Sequence, residues 1–520
     1  MKTIHPFLFA AYPILFLYAH NIDQVPLMHV LYPLTHALFF TLLLYLATFM
    51  ILGDKNKTSV MVSLTVVLFF SFAHSMALMD YMGVKATLPD AGINISAQHK
   101  LEMQSMMEQT HRSAIVYIIY LILLVASFIL LKTTEKNLED AVKIFNVISL
   151  ALILIPACSI IIFLLTHNPD YTIDEESKLG DESYVTNQPD IYYIIIDEYG
   201  RADYLKRVFG FNNTEFIQKL EDRGFYVASS SRSNYPITYL SLASSLNMKY
   251  IENLDENSRD CSIPYQMIKN NNVSAYLKAL GYKYINMKST WGPTDDMGAD
   301  LELGYGGYEL GEFYIVLLQS TALQPFIEEL IGRDLRKSRL YVFDKIKEIP
   351  ELRESTYTFA HIMLPHPPYL FDRMGNAVTQ KRLDLNYWEM SEEYVNQLVY
   401  TNKLLMETID EVLASSDTAP IIILQADHGT QSIHQHHKIN IHNLTKDQLN
   451  ERMAIFNAFY LPDGKDTLLY DSITPVNTFR IIFNSYFNGN YTLLEDKSFF
   501  SNVYYPYDFM IIPPEDKLIS

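Results

Sequence analysis

Residues 420–430 read PIIILQADHGT. Behind the proline, a run of Ile and Leu suits a buried strand, and the run stops at Asp427, His428 and Gly429. The acid and the imidazole are potential metal ligands, and the glycine permits a sharp turn. Alone, the triplet also suits a plain loop. Its meaning depends on what the rest of the chain places beside it.

Three other stretches read as strands of the same kind: IYYIIID after Pro189, TYTFAHIML (356–364) and IFNAFYLP (455–462). Helix-like stretches lie between them, at 215–224, 272–280, 326–335 and 391–413. Continuous apolar strands alternating with helices predict an α/β domain with a mainly parallel central sheet covered on both faces. Ligands of such sheets gather at the carboxyl ends of the strands. The first strand ends in Asp197 and Glu198, and the 356–364 strand runs into LPHPPYLFD with His366. Each has a structural account, a helix-capping carboxylate or a loop histidine. Three strand ends carrying acids or imidazoles are harder to dismiss together.

The stretch SNYPITYLSLASSLNM (233–248) adds hydroxyls. Pro236 breaks the chain, a helix is expected to start near Thr238, and Ser241, Ser244 and Ser245 follow. Thr238 reads structurally as an N-cap. Functionally, it places a hydroxyl where a helix N-terminus favours an anion such as phosphate.

The chain of 520 residues is too long for one ordinary core, and its 49% hydrophobic share is unevenly spread. Five apolar runs fall in the first 170 residues, at 6–18, 34–52, 59–78, 114–131 and 147–165. Four have the length of a membrane span. The shorter first run lacks a small-residue cleavage site, so it is read as a retained span rather than a signal peptide. Lys2, Lys55, Lys57, Lys132, Lys136 and Lys143 mark the cytoplasmic loops. The expected organisation is a five-helix transmembrane domain (1–168), an acidic linker (169–188) and an extracytoplasmic domain (189–520). The protein would then be an integral plasma (inner) membrane protein. Cys158 lies in the fifth run and Cys261 in the outer part, so no disulfide between them is expected. A net charge of −19 argues against nucleic acid as a partner.

Taken together, DEYGRAD (197–203), the hydroxyl about forty residues on, His-Pro at 366–367 and Asp-His-Gly at 427–429 resemble the alkaline phosphatase superfamily. The likeness is to its membrane-anchored, sulfatase-like branch of phosphoethanolamine transferases and lipoteichoic acid synthases. In phosphoethanolamine transferases the first motif reads Gly-Glu-Thr-Ala-Arg-Ala-Asp, which Glu198, Arg201, Ala202 and Asp203 match. The resemblance implies metal ligands Glu198, Thr238, Asp427 and His428, with Thr238 also the nucleophile and His366 a catalytic histidine on the substrate side. That donor set, oxygen-rich with one imidazole, suits one divalent metal, Zn or Mn.

The implied reaction moves a phospho-substituent, such as phosphoethanolamine or phosphoglycerol, from a membrane phospholipid donor to an envelope glycan or lipid acceptor through a threonine intermediate. A sulfatase-like or phosphodiesterase hydrolase and a non-catalytic envelope scaffold are the alternatives. The cysteines of phosphoethanolamine transferases around the nucleophile are missing. So is the Cys/Ser-x-Pro-x-Arg pattern of conventional sulfatases, since the chain reads YPITYLSL. A further histidine of the family could be His434, His436, His437 or His442, which spacing does not separate.

Overall fold

The computed structural model describes residues 3–22, 25, 27–83, 97–166, 188–251, 254–306, 311–378, 391–431 and 444–513. The four histidines 434, 436, 437 and 442 and residues 169–187 of the expected linker lie outside them. The chain divides into two compact units, 1–168 with 310–331, and 169–309 with 332–520.

The first unit contains α1 (His5–His20), α2 (Met28–Leu52), α3 (Lys55–Phe70), α4 (Phe72–Tyr81), α5 (Ala97–Thr133) and α6 (Glu139–Thr166). Among the described residues, α2, the Thr110–Thr133 part of α5, and α6 are long and apolar enough to cross a membrane. Helices α3 and α4 qualify together as a pair bent by 56°. Large apolar side chains such as Phe40, Ile122, Val147 and Leu165 face outward, as on helices surrounded by lipid.

The bend has a backbone cause. Ala73 N–H donates to Ser320 O, and Phe69 C=O accepts from Ala322 N–H, so a segment distant in sequence takes groups that would otherwise continue the helix. Residues 310–331, inside the range expected for the outer domain, therefore pack with the N-terminal helices. Phe313 and Leu317 are buried with Ile14, Tyr18 and Val30.

In the second unit, seven strands form one sheet: β1 (Ile191–Ile196), β2 (Tyr226–Val227), β3 (Lys283–Met287), β4 (Leu301–Leu303), β5 (Thr356–Ile362), β6 (Ile421–Gln425) and β7 (Asn457–Tyr460). Their order is β2-β7-β6-β1-β5-β3-β4. All neighbours are parallel except β7, which runs antiparallel to β6 and β2. Every residue of β1, β5 and β6 is buried, as expected of central strands covered on both faces. These three adjacent strands end side by side, and their registers set which residues meet there.

Candidate active site

Asp197 follows β1 directly, and its N–H donates to Ile362 O at 2.9 Å, extending the ladder one residue past the strand. Glu198 then turns into the left-handed region at φ 62°, which costs a side-chain-bearing residue roughly 1–2 kcal/mol. Two contacts hold that turn. Glu198 N–H donates to Asp427 Oδ1 at 3.0 Å, and Tyr394 O–H donates to Glu198 O at 2.9 Å. Successive residues consequently point apart: Asp197 inward to the end of β6, Glu198 toward Arg452, whose Nη1 is 3.7 Å from Glu198 Oε1.

The end of β6 supplies the opposing groups. Gly429 is needed here for space, and its φ is not positive. A Cβ at this position would lie 2.2 Å from Glu451 O and 2.5 Å from Ala454 O, because the end of the Lys446–Met453 helix passes directly against it. Gly429 N–H donates to Arg452 O at 2.7 Å. His428 Nδ1 lies 3.1 Å from Gly429 O, which assigns the ring proton to Nδ1 and leaves a lone pair on Nε2. That lone pair faces Asp427 Oδ2 at 3.1 Å, Asp197 Oδ1 at 3.8 Å and Thr238 Oγ1 at 3.2 Å.

Thr238 is the first residue of the Thr238–Asn247 helix, with Ile237 at the cap position. The N-cap account of Thr238 therefore does not apply. Ser241, one turn on, is buried, and its hydroxyl has no hydrogen-bond partner among the described residues. Ser244 and Ser245 donate to Lys249 O and Leu242 O.

Asp197, Asp427 and His428 present ligand atoms all within 4.8 Å of one another, and all three are buried. Asp197 Oδ1 and Asp427 Oδ2 have no hydrogen-bond partner among the described residues. Buried carboxylate oxygens without partners, facing an imidazole lone pair, are costly unless a cation lies between them. The donor set of two carboxylates, one imidazole and a nearby hydroxyl fits a divalent metal.

The titration of the two acids tells the same story. Burial and the charge of Asp197 push the Asp427 carboxyl up to about 7. Burial also works against ionisation of Asp197, but His366, His361 and His428 outweigh it and hold that carboxyl below its ordinary range.

Of the residues expected at the site, Thr238, Asp427 and His428 meet, whereas the Glu198 side chain is not among the mutually close ligand atoms, which Asp197, Asp427 and His428 supply. Glu198 is buried, and burial raises its carboxyl well above the usual range, with Arg452 pulling the other way. His366, after β5, packs its Nδ1 2.5 Å from Pro367 O. Gln397 fixes that loop by donating to Pro365 O and His366 O and accepting from Leu370 N–H.

The Arg201 and Asp203 of the first motif are structural. They pair with each other at 2.8 and 2.9 Å, and Arg201 also donates to Ser231 O.

Two site residues escaped the sequence reading. His361, inside β5, places Nε2 3.2 Å from Asp197 Oδ2 and Nδ1 3.1 Å from Thr294 Oγ1. A histidine within an otherwise apolar central strand was the available signal. Arg452, in NERMA, had no comparable signal.

No family model and no curated protein matches the chain. Among solved structures, the chain is similar to phosphoethanolamine transferases, sulfatases and a phosphonate monoester hydrolase. The C-terminal periplasmic domain of EcEptC from Escherichia coli is 13% identical, covering 63% of this chain and 93% of that chain, with a TM-score of 0.41. The integral membrane lipooligosaccharide phosphoethanolamine transferase A from Neisseria meningitidis is 12% identical, covering 93% of this chain and 94% of that chain, also at 0.41. The phosphonate monoester hydrolase of Agrobacterium radiobacter is 11% identical, covering 60% and 80%, at 0.37. At these values, the chemistry rests on the site's own geometry.

Proposed function

We propose that the protein is a metal-dependent enzyme that moves a phospho-substituent from a membrane phospholipid to an envelope glycan or lipid through a phosphothreonine at Thr238. The observation that carries this reading is the His428 Nε2 lone pair facing two orphaned carboxylate oxygens and the Thr238 hydroxyl, all within one buried space. Asp197, Asp427 and His428 would hold the metal, Zn or Mn, with the Thr238 hydroxyl as a further donor. Bound there, a divalent cation supplies the positive charge that lowers the hydroxyl's pKa and offsets charge on the transferring group.

Thr238 Oγ attacks phosphorus, and the bond from phosphorus to the lipid's oxygen breaks. An acceptor hydroxyl then attacks the same phosphorus and releases Thr238. His366 is kept neutral at physiological pH, because burial lowers its pKa. With its proton on Nδ1 directed at Pro367 O, it takes up the nucleophile's proton at Nε2 and returns it to the departing alkoxide. His361 orients the second oxygen of Asp197, in the manner of the outer partners of metal-binding carboxylates.

Five membrane crossings would put the 189–520 domain, which carries the site, on the extracytoplasmic side. The shorter α1 and the bent α3–α4 pair would supply two of the crossings.

Mass spectrometry of full-length enzyme trapped with donor phospholipid and no acceptor tests the reading. A phosphoryl-containing mass on the peptide bearing Thr238 is expected. Turnover without any adduct refutes it. Product masses with an added glycan or lipid acceptor separate transfer from hydrolysis.

A further inference from the structure

Arg452 has no role in the reaction above, yet its setting is unusual for a basic residue. It stands near the end of the Lys446–Met453 helix, and its side chain is only 12% exposed. Nε donates to Pro236 O at 2.9 Å, and Nη1 donates to Gly429 O at 3.1 Å. The first carbonyl lies two residues before Thr238, and the second belongs to the residue after His428. The guanidinium therefore bridges the loop that carries the hydroxyl and the loop that carries the imidazole. Two bonds to a rigid, planar fork fix its plane, so its orientation is settled before any ligand arrives.

What remains unused is its charge and its outer edge. Nη2 makes no hydrogen bond among the described residues. Glu198 is 3.7 Å from Nη1, too far for a hydrogen bond, and its Oε2 has no partner among the described residues. The cation is thus paired with Glu198 only at 3.7 Å, and it keeps donor capacity on Nη2. It is held against Pro236, two residues before Thr238, and Gly429, next to His428, and its charge acts on Glu198, Asp427, Asp197 and Glu451. The left-handed turn at Glu198 matters here, because it carries that side chain out of the Asp197–Asp427–His428 group and sets it behind Arg452.

We propose that Arg452 binds the non-bridging oxygens of the tetrahedral oxyanion being transferred, with Glu198 as the positioning residue that keeps the guanidinium in place. The ligand class is a phosphoryl or sulfuryl group held opposite the metal. The inference rests on the proposed function in taking Thr238 as the point of attachment and Asp197, Asp427 and His428 as the metal site. Arg452 supplies two charge-assisted donors on the face that Asp197, Asp427 and His428 leave open. A guanidinium suits this task better than an ammonium, because its fork meets two oxygens at once.

The test uses zinc-loaded, full-length protein in detergent, with inorganic phosphate as the probe in titration calorimetry. Arg452→Lys and Arg452→Met should each weaken phosphate binding by about ten- to a hundredfold, the worth of a hydrogen bond to a charged group. Zinc content should hold, while the melting temperature should fall, more in Arg452→Met than in Arg452→Lys, because the bonds to Pro236 O and Gly429 O are lost. Unchanged phosphate affinity in both variants, or no phosphate binding by the wild-type protein at millimolar concentration, overturns the proposal.

Should both variants lose zinc, the wild-type protein still answers. In a crystal structure with phosphate, an oxygen within about 3.2 Å of Nη1 or Nη2 supports the assignment. Phosphate seated without that contact refutes it. Inorganic sulfate serves as the second probe. Equal binding of sulfate, equally weakened by the substitutions, keeps Arg452 as the oxyanion ligand and counts against phosphoryl as the transferred group. Failure to trap an adduct on Thr238 while phosphate still binds through Arg452 separates failure of the transfer mechanism from failure of this inference.

Discussion

Replacing Asp427 with Asn should stabilise the metal-free protein while removing its capacity to bind metal. Asp427 is buried 3.1 Å from an imidazole lone pair and shares its space with Asp197, so ionising it is costly without a cation. Below pH 3.8 the carboxyl is protonated in both folded and unfolded chains and contributes nothing. Between 3.8 and about 7 the unfolded chain releases the proton and the folded one retains it, so stability falls as pH rises. Above 7 both are ionised and the full cost applies. A shift of about 3 units corresponds to roughly 4 kcal/mol at most. Asp197, held low, contributes stability that is lost only in acid, and so does not vary between pH 5 and 8.

In Asp427→Asn, Oδ1 still accepts from Glu198 N–H, while the new Nδ2 can donate to His428 Nε2. In the presence of a chelator at pH 8, the variant should melt several degrees above the wild type, at about 2 °C or more per kcal/mol. The gap should close toward pH 5. Zinc should raise the melting temperature of the wild type alone. A variant less stable than the wild type in chelator at pH 8, with the same gap at pH 5, would refute the picture of two carboxylates held together for a cation.

Gly429→Ala should destabilise by at least about 1–3 kcal/mol, because the new methyl meets backbone carbonyls that cannot swing aside. Thermal melting reads this directly, and an unperturbed melting temperature would contradict the close approach. Thr238→Ala should abolish turnover with folding retained, since Thr238 does not cap its helix, while Ser241→Ala should keep much of it. Peptide mapping of the trapped enzyme, as well as rates, checks this, because the unpaired Ser241 hydroxyl lies on the same face of the helix. A reporter that is active only in the cytoplasm, fused after Ser520, should be inactive. Activity there would reverse the orientation inferred from the loop lysines.

Much of the architecture was legible in local pattern. The strands at 191–196, 356–362, 421–425 and 457–460 announce themselves as runs rich in β-branched, aromatic and other apolar residues, as central strands covered on both faces require. The rule that ligands gather at the carboxyl ends of such strands then led to Asp427, His428 and the region of Asp197. The helix start at Thr238 followed from Pro236.

What local pattern could not supply was direction and long-range register. Asp197 and Glu198 are adjacent acids after the same strand, and motif matching favours the second. In the structure the first lies close to Asp427 and His428, because one left-handed residue, held by Tyr394 and Asp427 from distant elements, turns the pair apart. His361 looks like an ordinary strand residue until the pairing of β1 with β5 brings it against Asp197. Arg452 and the 310–331 segment depend likewise on which parts of the chain come together. Composition is a property of neighbours in sequence, whereas a site at the end of three parallel strands is made by neighbours in space.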